Sequence, residues 1–337
     1  MKHAIALAGN IVVDSIKYID QYPGKLELTA IKRVERSLGG AVPNVGMDLA
    51  RLDPKLPLKA VGFAGADDNG AYALEAMARH PSIDLSDVKR AGLNSFTDVM
   101  TVESTGERTF FTFKGADSLI TPDTVPLDRL DCDILHVGYA LLLDGLDAPD
   151  AEYGTGMARV LAGAQALGIR TSLDVVSENS DRYARVVPPA LKYADFFSVN
   201  EMEAGRTTGV PLAVGGRLIR ENLRPALARL KEMGVRRWAV IHTPEVSCGL
   251  DERGEYAEAE TLRLPEGFIK GSVGAGDAFT AGLLLMAWRG APLREALETA
   301  NAVAALSLSE PGATEGVRPL DETMAFAARV KARKAEE

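Results

Sequence analysis

The sequence predicts an α/β fold in which a mostly parallel central sheet is flanked by helices and a small separate sheet is inserted. Three observations carry that prediction. From residue 133 onward, short apolar runs at 133–137, 170–174, 195–199 and 236–242 alternate with helix-length segments, the rhythm of β-α-β units. Polar residues such as Asp174 and Asn200 close these runs, at the strand ends where open α/β sheets bind ligands. Two stretches, 26–36 and 96–113, interrupt the rhythm with strand-like alternation.

Composition narrows the function classes. A chain of 337 residues can bury a large core, and its 46% hydrophobic and 25% charged content is ordinary for a globular protein. A net charge of −9 argues against nucleic acid or anionic membrane as the partner, because such binding needs clustered Lys and Arg. Cys132 and Cys248 sit in apolar contexts and read as buried thiols, and His3, His80, His136 and His242 show no metal-ligand spacing. The N-terminus enters a strand directly and no apolar run reaches membrane length, so a cytoplasmic location is expected.

Taken in order, residues 4–14 form a nearly continuous apolar run that reads as one buried parallel strand, with Asp14 just past its end. The 26–36 stretch alternates like a strand exposed on one face. A helix is expected over 43–52 behind the Gly39-Gly40 turn, a buried strand over 58–64, and a helix from Asp67-Asp68 through 79. Segments 96–103 and 107–113 flank Ser104-Thr105-Gly106 and read as a hairpin, with Phe110, Phe111 and Phe113 on its second strand. Leu218, Ile219, Leu223, Leu227 and Leu230 give 215–234 helical spacing, with Pro225 kinking or restarting the helix. Residues 293–308 form a further helix, and 330–337 read as a charged, frayed tail.

The most informative stretch runs from 270 to 288. Gly271, Gly274 and Gly276 allow a tight turn, and the apolar run behind them reads as a buried helix, so the turn sits at a helix N-terminus. The first amides of a helix lack partners and its dipole is positive there, so Gly274, Ala275 and Gly276 can cradle an anion such as phosphate. Asp277 adds a carboxylate beside that cradle. It could take a proton from an attacking hydroxyl while the amides hold the charge of a phosphoryl group in transfer; the bland alternative is an acid favoured by the helix dipole.

The segment 274–282, Gly-Ala-Gly-Asp-Ala-Phe-Thr-Ala-Gly, resembles the C-terminal signature of the ribokinase-like (PfkB) carbohydrate kinases, and 38–46, with Gly39, Gly40 and Asn44, resembles their N-terminal signature. The likeness extends over nearly the whole chain. It implies a ribokinase-like three-layer sandwich over residues 1–322, with lid segments at about 15–37 and 95–115 and a C-terminal helix and charged tail at 323–337. It further implies ATP-dependent phosphorylation of a sugar hydroxyl, with Asp277 as base and Asp14, Gly39, Gly40 and Asn44 on the acceptor. By the same likeness Asn200, Thr243, Gly249 and Asn301 would contact the nucleotide, Glu203 would help to hold Mg2+, and the lid would form a homodimer surface.

Several residues keep a second reading. Asn200 and Glu203 also have capping-box spacing, and Asn301 could be an ordinary polar side of its helix. Pro244 and Glu245 depart from the family's nucleotide loop, and Gly271 stands where many members carry an Asp beside a monovalent cation. No P-loop and no dinucleotide fingerprint occurs. The alternatives are a nucleoside kinase of the same family and, from another class, a sugar-binding or sensing protein on the same fold.

Overall fold

The computed structural model describes residues 2–178 and 180–336, with side chains of the last helix described as far as Ala332. Its N-terminal apolar run is two strands, not one. Strand β1 (His3–Gly9) enters the central sheet, whereas β2 (Val12–Ile19) leaves for the small one. Hydropathy does not record a change of direction, but Gly9 does: its φ is +152°, and a Cβ there would lie 1.7 Å from the Gly138 carbonyl oxygen. Asp14 therefore belongs to the small sheet, correcting its expected place beyond a core strand.

Strand β3 (Ile31–Gly39) begins five residues later than alternation suggested; Leu26, at φ +70° and fully exposed, lies outside it. Strands β4 (Leu58–Ala64) and β5 (Ile83–Arg90) return to the central sheet, and β6 (Ser95–Val102) and β7 (Arg108–Phe113) form the expected hairpin. Strands β8 (Cys132–Ala140), β9 (Arg170–Val175), β10 (Phe196–Asn200), β11 (Trp238–His242), β12 (Val246–Leu250) and β13 (Tyr256–Glu260) complete the large sheet. Its order is β13-β12-β11-β10-β9-β8-β1-β4-β5, parallel from β11 to β5 and antiparallel at the β12 and β13 edge. The lid sheet has the order β3-β2-β6-β7.

The long helices are α1 (Ala41–Leu52), α2 (Asp68–Ala78), α3 (Gly156–Ala166), α4 (Tyr183–Leu191), α5 (Glu201–Thr208), α6 (Leu223–Glu232), α7 (Ala275–Arg289), α8 (Leu293–Ser307) and α9 (Leu320–Glu336). They cover both faces of the large sheet. Leu135 and Ile241 pack with Leu161, Val187 and Leu227 in one core, whereas their neighbours Ile134 and Val240 pack with Val45, Leu285 and Leu297 in the other. That alternation is the signature of a sheet buried on both sides.

Two further expectations change. Helical spacing from 215 is broken by a short hairpin, so Leu218 is a strand residue; α6 starts only at Leu223 and takes Pro225 in its first turn, where a missing N–H costs no helical bond. The tail is helical to Glu336, and Glu337 lies outside the described residues. The expected boundary at 322 and 323 thus falls inside α9, whose Phe326 stacks on Phe268 with ring centroids 5.2 Å apart.

Candidate active site

The glycine turn forms the wall between two cavities. Gly274 caps α7 at φ +77°, and a Cβ there would meet the Ala313 carbonyl oxygen at 2.4 Å, so only glycine lets the turn nest against residues 311–313. The amides of Gly276 and Asp277, in the first turn of α7, have no acceptor four residues back within the helix. Behind them α7 is buried on all sides through Ala287, which fixes its N-terminus rigidly in the core.

Asp277 is 9% exposed and is held from two distant parts of the chain. Asn44 Nδ2 donates to its Oδ2 at 3.0 Å, and the Tyr139 hydroxyl donates to its Oδ1 at 2.5 Å. Burial pushes its carboxyl up to about 6, and the two hydrogen bonds oppose the shift by favouring the ionised form. A carboxylate poised there is ionised at neutral pH and remains basic enough to accept a hydroxyl proton.

One cavity, of about 570 Å³, lies beside Ser272, Ala275 and Gly276 and extends over Leu262, Ile269, Phe279, Ala305 and Leu308. Asn200, Thr243 and Asn301 all border it, as expected. Their side chains are also structural: Thr243 Oγ1 closes the turn to Val246, and Asn301 Nδ2 donates to the Ala259 carbonyl at 3.1 Å. Gly249 does not border it. That residue lies within β12, where a Cβ would be 2.8 Å from the Ala239 oxygen and 3.1 Å from Leu293, so its glycine serves strand packing. His242, tilted against Phe279 at 4.7 Å between centroids, lines the cavity and is kept neutral by burial, which lowers its ring to about 4.

The other cavity, of about 450 Å³, lies between the lid and the 310–315 loop, with Asp14, Phe110, Val273 and Pro311 in its lining. Asp14 sits against Gly39, whose absent side chain leaves room for it: a Cβ there would be 2.7 Å from the carboxylate. Burial raises Asp14 to about 6, with the Thr97 hydroxyl opposing. Gly40 takes φ +93° and caps α1, while Asn10 Oδ1 accepts from the Ala41 amide at 3.1 Å. Tyr139, which touches Asp277, is a residue that sequence reading missed, as are two buried polar residues behind the site, Asn10 and Asp48. Tyr139 extends β8 beyond the run 133–137, and Asp48 was legible as an acid one helical turn after Asn44 on an apolar helix.

Of the two readings of Asn200 and Glu203, the structure shows the capping box. Asn200 caps α5 and Glu203 completes the capping box, its Oε2 accepting from the Asn200 amide at 3.0 Å and its Oε1 from Ser177 at 2.7 Å. Among the described residues no group of three or more His, Cys, Asp or Glu side chains converges tightly enough to hold a metal ion by itself. Acid is nevertheless concentrated here: Asp174 and Glu203 are both raised by burial first, then by repulsion that includes Asp277. Such a donor set fits a magnesium that keeps its waters and the oxygens of a bound phosphate better than a dedicated protein cage.

Asp48 stands apart. It is fully buried, neither carboxyl oxygen has a partner, and Asn44 Oδ1 beside it on the same helix face is unpartnered too. Burial and the proximity of Asp277 raise it far above the ordinary carboxyl range. Gly271, for its part, packs where a Cβ would lie 2.8 Å from the Pro311 carbonyl oxygen, leaving no room for an Asp side chain.

Comparison with known proteins bears on the family and the fold. The model of the pfkB family of carbohydrate kinases matches residues 3–319. Ribokinase of Arabidopsis thaliana is 24% identical over 311 residues, covering 92% of this chain and 77% of its own length. 2-Dehydro-3-deoxygluconokinase of Bacillus subtilis is 23% identical over 326 residues, covering 92% and 91%. The structure of Arabidopsis thaliana ribokinase complexed with ribose and ATP matches with a TM-score of 0.80 at 20% identity, over 97% of this chain and 99% of that one. Ribokinase of Thermotoga maritima matches at 0.78 and 17% identity, over 96% and 99%. With its fold shared and the family model spanning nearly its full length, the chain belongs to the pfkB family of carbohydrate kinases.

Proposed function

We propose that this kinase transfers the γ-phosphoryl group of ATP to a hydroxyl of a sugar or sugar derivative across the Gly274 turn. The observation that carries the reading is the placement of Asp277, a buried carboxylate oriented by Asn44 and Tyr139 beside the free amides of a helix N-terminus. Asp277 accepts the proton of the attacking hydroxyl. The amides of Gly276 and Asp277 and the dipole of α7 stabilise negative charge on the phosphoryl group as it passes.

ATP occupies the larger cavity, its base against the apolar wall of Leu262, Ile269, Ala305 and Leu308, with Thr243 and Asn301 at the polar edge. The acceptor lies under the lid, with Asp14 and the backbone at Gly39 and Gly40 gripping its hydroxyls. Asn200 borders the phosphate end, and Glu203, buried behind it, would help to hold a magnesium ion that would supply charge neutralisation to ATP. Among the described residues no helix is long and apolar enough to cross a membrane, in keeping with a cytoplasmic enzyme acting on small molecules. A homodimer through the exposed lid belongs to the same reading.

The test is ADP release from the purified chain with ATP and magnesium over a panel of sugars, sugar derivatives and nucleosides. Acceptor-dependent turnover is expected with a sugar or derivative. Turnover confined to nucleosides would move the assignment to that branch of the family, and saturable sugar binding without any turnover would favour a sensor.

A further inference from the structure

The acceptor cavity contains a charge that the roles above leave unused. Residues paired across neighbouring strands share a face of the sheet. Register pairs Asp14 with Thr97, Ile16 with Glu35 and Val99, and Tyr18 with Arg33 and Thr101; β6 in turn pairs Val99 with Phe110 and Thr101 with Arg108. Asp14, Ile16, Glu35, Phe110 and Arg108 therefore present to one side, and all of them line the cavity.

The other cations on the lid strands are accounted for. Lys17 pairs with Asp98 at 2.5 Å, Lys32 with Asp20, and Arg33 with Glu35 while covering the Tyr18 ring at 3.7 Å. Arg36 touches the cavity rim, but its register with Ser15 turns it to the opposite face, where it lies 5.8 Å from the Tyr72 ring. Arg108 has no ion pair among the described residues, although it lines a cavity that also holds carboxylates. Of those, Glu35 is taken by Arg33, Glu310 lies 3.9 Å from Lys270, and Glu315 accepts from the Thr314 amide.

Asp14 and Arg108 stand at opposite ends of this face. Four residues along the strand direction and two strand spacings across separate them, or about 13 Å by about 10 Å between their Cα atoms. With both side chains reaching inward, the remaining gap matches a sugar of five or six carbons gripped by hydroxyls at one end and by charge at the other. We infer that the acceptor carries an anionic group, carboxylate or phosphate, bound by Arg108 at the lid, so that sugar acids or sugar phosphates are preferred over neutral sugars and nucleosides. A planar guanidinium suits either group, because both offer oxygens to its fork of donors. The inference rests on the kinase reading and names the substrate class for that site.

The experiment compares a neutral hexose with its aldonic acid and with its terminal phosphate as acceptors for the full chain, reading kcat/KM by ADP release. At least one anionic compound is expected to exceed the neutral parent by about tenfold or more, with a KM that rises with ionic strength. Which anion wins separates the sugar-acid class from the sugar-phosphate class. Arg108→Gln should cut the anionic-to-neutral ratio by about tenfold, while Arg36→Gln, on the opposite face, should leave it unchanged, with melting temperatures confirming that both variants fold. Preference for the neutral sugar, or a ratio indifferent to Arg108→Gln, overturns the inference. If no acceptor turns over, the kinase reading is what fails; calorimetric binding of the same three compounds then still decides Arg108, and equal or weaker binding of both anions overturns it.

Discussion

The two cavities beside the Gly274 turn are built from different materials. The larger is walled by the buried helices α7 and α8, the ends of β10 and β11 and the 261–272 loop, and its surface is mostly apolar. The smaller is closed by the lid, whose outer strand β7 is mostly exposed, with Phe110 63%, Phe111 56% and Phe113 44% accessible, and six charged residues stand in its lining. A region held by the core is the same in every molecule of the ensemble, whereas a thin sheet with few buried contacts opens at lower free-energy cost. On the proposed function, the invariant half of the reaction falls to the cavity beside α7 and α8 and the choice of acceptor to the lid.

The largest predicted effect strikes what the two sides share. Asp277→Asn should lower kcat by about 100-fold or more while ATP-analogue binding and fold persist, since only proton acceptance is lost. Turnover near wild type would remove Asp277 from the base role. Because the base must be ionised and burial holds its carboxyl at about 6, kcat/KM should fall as pH drops below that value, about tenfold per unit. An acid limb well below pH 5 would disconnect the limb from this group.

Asp14→Ala tests whether the halves are separable. It removes a charge-assisted hydrogen bond worth about 1.5–3 kcal/mol, so acceptor KM should rise by about one to two orders of magnitude with little change for ATP. Calorimetry showing lost nucleotide affinity instead would break the division between the cavities.

Asp48 sharpens the comparison from the core side, because it is an unpartnered acid inside the rigid half. The unfolded chain releases its proton near the ordinary value of 3.8, whereas the folded chain holds it, so this group's contribution to stability falls as pH rises above that value. Asp48→Asn should therefore raise the neutral-pH stability, by about 1–3 kcal/mol, with the gain shrinking toward pH 4. Denaturant unfolding at several pH values reads this directly, and equal destabilisation at every pH would show that the acid has a partner in solution.

The smallest effect concerns Gly271. With no side-chain anion there and no room for one, exchanging potassium for a tetraalkylammonium salt at fixed ionic strength should change turnover by less than about twofold. A steep, saturable potassium dependence would show that backbone carbonyls suffice.

Much of this molecule was legible in one dimension. The Gly274 turn and the helix behind it depend on residues adjacent in sequence, and so did the capping box at Asn200 and the strand-helix rhythm of the C-terminal half. Glycine spacing, apolar runs and cap residues act over a few positions, and local energetics decide them. The run 4–14 misled because burial in one sheet and burial in two give the same hydropathy, and only the approach of Gly138 to Gly9 tells them apart.

What the sequence determined by itself was a carboxylate, Asp277, at a helix N-terminus in an α/β frame, because those features are set by neighbours along the chain. Tertiary structure alone decided that Asn44 and Tyr139, 233 and 138 residues away, converge on Asp277, that Gly249 packs inside a strand, and that Arg108 rather than Arg36 shares the Asp14 face of the lid. Sheet order and strand register set those outcomes. Shifting the register by one residue would exchange the two faces of the lid without altering a single local propensity.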